Sequence, residues 1–98
     1  MYLIVWRYTV KAGKDAEFRR SYGPAGEWDR FFQMSPAFLG TTLVTLEAAG
    51  HYLTIDSWTD EAAFDEFLVQ HRRAYDELDA KFEDWTVSEE LIGRGRSG

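Results

Sequence analysis

His51-Tyr-Leu-Thr-Ile-Asp-Ser-Trp58-Thr-Asp60-Glu-Ala-Ala-Phe64-Asp-Glu-Phe67-Leu68 changes its hydrophobic period from two to about 3.6 within a few residues. Residues 51–58 read as a strand, and a helix begins just after them at Thr59 or Asp60. The helix is expected over about 60–83. Its apolar stripe is Phe64, Phe67, Leu68, His71, Tyr75, Leu78 and Phe82, and Glu61 suits the positive end of its dipole. A strand that feeds such a helix packs it back on its own sheet.

The front of the chain repeats the arrangement. Residues 2–10 alternate, with Ile4, Trp6, Tyr8 and Val10 on one face and Leu3, Val5, Arg7 and Thr9 on the other. After the turn at Gly13 a helix starts at Asp15 and carries Phe18 and Tyr22. Gly23-Pro-Ala-Gly26 interrupts it, because Pro24 lacks an N–H and glycine costs stability in a helix interior. A second helical piece holds Trp28, Phe31 and Phe32 and ends at Ser35-Pro36. Strands are expected at 37–47 and 85–92, with Ala48-Ala-Gly50 as a hairpin connection. The order β-α-β-β-α-β is the ferredoxin-like α+β arrangement, a four-stranded antiparallel sheet with two helices on one face.

Composition narrows the function. Ninety-eight residues make one domain, read as 1–93 with a disordered tail at 94–98. The absence of cysteine excludes a disulfide, a thiolate metal site and a cysteine nucleophile. No run approaches the roughly 18–20 apolar residues that span a bilayer, and no secretory leader is recognisable, so a cytoplasmic protein is expected. A net charge of −6 argues against nucleic acid. The two histidines, His51 and His71, fall on different elements, so no metal site is expected.

Strand three poses a choice of face. Leu53 and Ile55 are assigned to the helix-covered side with Ile4 and Trp6. The open side would then carry Leu3, Val5, Arg7, Tyr52, Asp56 and Trp58, with Arg7 and Asp56 as near neighbours. So much apolar area on a small domain calls for cover, and a two-fold homodimer packed sheet against sheet supplies it.

The chain resembles the antibiotic biosynthesis monooxygenase superfamily, the dimeric α+β barrels, over about residues 2–92. The resemblance is carried by Thr-Val-Lys-Ala-Gly-Lys (9–14), Tyr-Gly-Pro-Ala-Gly-Glu-Trp (22–28) with Phe31-Phe32, Phe-Leu-Gly-Thr-Thr-Leu (38–43), Tyr-Leu-Thr-Ile-Asp-Ser-Trp (52–58) and Asp-Glu-Ala-Ala-Phe (60–64). It implies a homodimer with a pocket between sheet and helices in each subunit. It also implies oxidation of phenols or quinols without cofactor, the substrate carbanion itself reducing dioxygen. It does not extend to the haem-degrading branch. That branch's asparagine, tryptophan and histidine positions hold Trp6, Phe67 and Glu77 here.

Within that pocket His71 is the candidate base, since imidazole accepts a proton near neutral pH. Tyr75 and Tyr22 are the candidate hydroxyl donors. Trp6, Tyr8, Trp28, Phe32, Phe64 and Phe67 are the candidate walls for a flat aromatic ligand. The same residues also suit an ordinary core, so a non-catalytic binding or structural dimer is the alternative.

Overall fold

The computed structural model describes residues Met1–Gly98. Its elements are β1 (Tyr2–Val10), α1 (Asp15–Tyr22), α2 (Glu27–Phe32), β2 (Phe38–Thr45), β3 (His51–Trp58), α3 (Glu61–Phe82), a single 3₁₀ turn (Glu83–Trp85) and β4 (Thr86–Arg96). The sheet order is β2-β3-β1-β4 and every neighbouring pair is antiparallel. This is the ferredoxin-like α+β fold expected from the order of elements.

Local chemistry explains the breaks. Asp60 caps α3 by accepting a hydrogen bond from the Ala63 N–H at 2.8 Å. Between α1 and α2 the chain turns so tightly that a Cβ on Gly26 would lie 2.5 Å from the carbonyl oxygens of Arg20 and Ser21. Ala25 adopts a φ of 64°, and its N–H donates to the buried Asp29 carboxylate at 2.6 Å. The Gly-Pro-Ala-Gly segment is therefore a built corner that seats Tyr22 and Trp28. Helix α3 leaves helical geometry at His71, where φ is −120° and ψ is 24°.

The core is almost wholly aromatic. Phe18, Trp58 and Phe82 have no exposed area, and Tyr52 has almost none. Trp58 packs between Phe38, Phe64 and Phe67 at centroid distances of 5.1–5.4 Å. Phe18 stacks on Tyr22 at 4.3 Å. Contacts of this kind add to the large area that each ring buries.

Two expectations are corrected here. The first is the face of β3. Its register with β1 pairs Tyr2 with Trp58, Ile4 with Asp56, Trp6 with Thr54 and Tyr8 with Tyr52. Directly paired residues share a face, so Tyr52, Asp56 and Trp58 lie under the helices, while Leu53 and Ile55 lie on the open side. Aromatic area decided the matter: Tyr52 and Trp58 bury more apolar surface than Leu53 and Ile55 can. Arg7 is consequently no neighbour of Asp56. Its guanidinium instead donates to Nδ1 of His51 at 3.3 Å on the open face.

The second correction concerns the C-terminus. β4 continues to Arg96, with Arg94 opposite Ile4 and Arg96 opposite Tyr2, and Ser97 N–H donates to the Met1 carbonyl. Backbone pairing with a central strand holds residues 94–96, despite glycines at 93 and 95 that weaken a strand.

Candidate functional site

The helix-covered face of β3 presents Tyr52, Thr54, Asp56 and Trp58 in succession. Large rings stand at both ends, and two short polar side chains lie between them. Over that low stretch the core is not filled. A cavity of about 140 Å³ remains, lined by Trp6, Tyr8, Thr54 and Asp56 from the sheet. Tyr22, Trp28, Phe32, Tyr75 and Asp79 from the helices and Glu89 from β4 complete the lining. Its size is close to the roughly 150 Å³ known to hold a benzene ring. Glu89 alone among these residues is exposed, which puts the mouth between β4 and α3.

The walls are ring faces. Tyr8 lies 5.1 Å from Tyr22, and Trp28 lies 5.1 Å from Tyr75, centroid to centroid. Trp6 stacks beside Tyr8 at 6.5 Å. The polar groups are few and specific. Burial pushes the Asp56 carboxyl up to about 6, although Thr41 Oγ1 donates to it at 2.5 Å. Burial raises the phenols of Tyr8 and Tyr22 well above their ordinary value, and that of Tyr75 to about 12, so all three stay protonated donors. The Trp28 indole N–H is buried beside the Tyr22 hydroxyl without a partner in good hydrogen-bonding geometry. Asp79 and Glu89 are also raised, first by burial and then by nearby acids: Asp76 acts on Asp79, and Asp79 on Glu89. No cation lines the cavity, and its carboxylates do not converge as a metal site would require. One desolvated carboxylate thus faces three phenols and an indole N–H, a set that can accept one proton and stabilise one developing oxyanion.

The model of the family described as antibiotic biosynthesis monooxygenase matches residues 1–75. The chain belongs to the antibiotic biosynthesis monooxygenase family. A mutant of SnoaB, a cofactor-independent oxygenase from Streptomyces nogalater, is 25% identical with a TM-score of 0.79, over 98% of this chain and 91% of that one. Two further structures share the fold alone. MhuD, a haem degrader from Mycobacterium tuberculosis solved with two haems in its active site, is 15% identical with a TM-score of 0.71 over 99% of this chain and 95% of that one. A NIPSNAP domain protein from Burkholderia xenovorans is 11% identical with a TM-score of 0.70 over 100% and 95%. No curated protein matches the chain. No helix is long and apolar enough to cross a membrane.

Within this family framework the sequence-derived candidates separate into groups. Tyr22, Tyr75, Trp6, Tyr8, Trp28 and Phe32 all line the cavity. Phe64 and Phe67 do not: they pack against Trp58 in the solid part of the core. His71 is also outside. Its ring lies against Phe67 at 4.5 Å and lines a separate shallow hollow with Met34, Pro36 and Gln70. The α3 stripe carries it one turn too far from Tyr75 toward the N-terminal end of the helix. Thr54, Asp56, Asp79 and Glu89 escaped the sequence reading. Asp56 was findable, because placing Tyr52 and Trp58 inward brings it inward too.

Proposed function

We propose that the protein is a cofactor-independent monooxygenase acting on a small phenolic or quinol-like aromatic compound. The observation that carries this reading is Asp56, a carboxylate pushed up to about 6 in a ring-sized aromatic cavity, facing hydroxyl donors. Family membership and the likeness to SnoaB support it. Asp56 takes the base role expected of His71. Its carboxylate removes the proton of the substrate hydroxyl, and the resulting anion is shared between that oxygen and a ring carbon that bears hydrogen. Tyr22, Tyr75 and the Trp28 N–H hold the charge that stays on the oxygen. The carbanion gives one electron to dioxygen, and the two radicals combine into a carbon–oxygen bond. The peroxide recovers the proton from Asp56 and loses water, leaving a carbonyl. One oxygen atom ends in product and the other in water.

The test is dioxygen uptake with two single-ring compounds, a hydroquinone and a catechol, under metal chelation. Asp56→Asn should lower turnover by about 10²-fold or more, the usual worth of a positioned base. No uptake above the uncatalysed rate with either compound would refute the assignment.

A homodimer through the open sheet face belongs to the same reading. Leu3, Val5, Leu53 and Ile55, only partly buried in the single chain, supply its apolar centre. The cavity is small beside the roughly 300–1,000 Å³ of ordinary ligand sites. That favours, as the second reading, a non-catalytic dimer binding a single ring or nothing.

A further inference from the structure

The charge around the cavity carries a specificity that the oxygenase reading does not contain. Three carboxylates, Asp56, Asp79 and Glu89, line it, and none of the other seven lining residues is a cation. They are not spread evenly. Asp56 sits on the sheet floor beside Thr54, whereas Asp79 of α3 and Glu89 of β4 flank the open end. Of the cations on α3, Arg72 is turned to Asp76 at 3.7 Å and lies over the Tyr75 ring at 5.8 Å, Lys81 is turned to Glu27 at 2.8 Å, and neither lines the cavity. A second and independent sign of a guest is Trp28. Its ring is 8% exposed and lines the cavity, and its indole N–H lies beside the Tyr22 hydroxyl without a partner in good hydrogen-bonding geometry. A buried donor left unpaired costs free energy unless a ligand oxygen meets it.

We infer that the cavity binds a phenol carrying an alkylammonium group, with the ring between Trp6, Tyr8 and Trp28 and the cationic tail between Asp79 and Glu89 at the mouth. The phenol oxygen accepts from Trp28. The tail meets two carboxylates and the faces of Trp6 and Tyr75, an arrangement that attracts ammonium ions by charge and by the ring quadrupoles. An aromatic acid would bring a like charge into the same mouth and be repelled. This inference rests on the cavity being the ligand site, as in the proposed function, but not on any turnover there.

The experiment measures equilibrium binding to the full chain, by tryptophan fluorescence and calorimetry, for three phenols with the same two-carbon spacer. These are tyramine (cationic), tyrosol (neutral) and para-hydroxyphenylpropionate (anionic). Tyramine should bind about tenfold more tightly than tyrosol, and the acid more weakly than either, with the preference shrinking as salt is raised. In Asp79→Asn/Glu89→Gln the three affinities should draw together. Equal affinities in the unaltered protein, tighter binding of the acid, or no saturable binding of any of the three would overturn the inference. Selective tyramine binding without dioxygen uptake from any phenol would sink the oxygenase assignment and leave this one standing.

Discussion

The same sheet face is solid at one end and hollow at the other. At the solid end Tyr2, Phe38 and Trp58 meet Phe64 and Phe67, and Trp58 has no exposed area. At the hollow end Trp6 and Tyr8 face Tyr22, Trp28 and Tyr75 across about 140 Å³ of unfilled space. Both ends are walled by aromatics, so hydrophobicity does not distinguish them. The difference is the pair Thr54 and Asp56, too short to reach the helices and too polar to be covered freely. Stability is concentrated at the first end, and the chemistry of the site at the second.

The largest test of this contrast is Trp58→Ala. Removing a fully buried indole at the solid end should cost about 3–5 kcal/mol of unfolding free energy in urea titration. A cost below about 1 kcal/mol would mean that the solid end is not where the fold is held.

Next in size is the pH dependence at the hollow end. The folded-state pKa of Asp56, about 6, lies above its ordinary value of 3.8. The folded protein therefore holds this proton more tightly than the unfolded chain does. Asp56 gives full stability below about pH 4, and that contribution is lost as the pH rises through about 6. Asp79 and Glu89 are shifted in the same direction. Asp56→Asn keeps the acceptor for Thr41 and removes the charge. It should be more stable than the parent by about 2 kcal/mol at pH 7, with the two curves meeting near pH 4. A variant less stable than the parent at pH 7 would show that the carboxylate is not desolvated.

The smallest stability effect is expected from filling the hollow. Thr54→Leu adds apolar volume toward Trp6 and Tyr8 but removes the hydroxyl that bonds the buried Tyr8 phenol, and the two effects together should leave a net loss of about 1 kcal/mol. It should nevertheless abolish saturable binding of tyramine, measured by tryptophan fluorescence. Undiminished binding would place the ligand elsewhere.

Legibility in the sequence followed the range of the interactions. The capped start of α3, the corner at Gly23–Gly26 and the inward face of β1 were readable because neighbours along the chain decide them. Six cavity residues, Trp6, Tyr8, Tyr22, Trp28, Phe32 and Tyr75, were readable as large rings on inward-facing positions. His71 was not placed correctly relative to them: the helical stripe is wider than the cavity, so sharing a stripe does not mean sharing a site. The end of β4 was missed because Gly93 and Gly95 weaken a strand locally, while pairing with β1 holds it.

The element order, the helix-forming segments and the aromatic composition of the core follow from the sequence alone, since period, capping and turn chemistry act over a few residues. The face that β3 turns to the helices was decided only in three dimensions. Its two sides, Tyr52-Thr54-Asp56-Trp58 and Leu53-Ile55, are both apolar enough to be buried. A one-residue phase separates them, and the larger area of the two rings settled the choice, carrying Asp56 into the cavity.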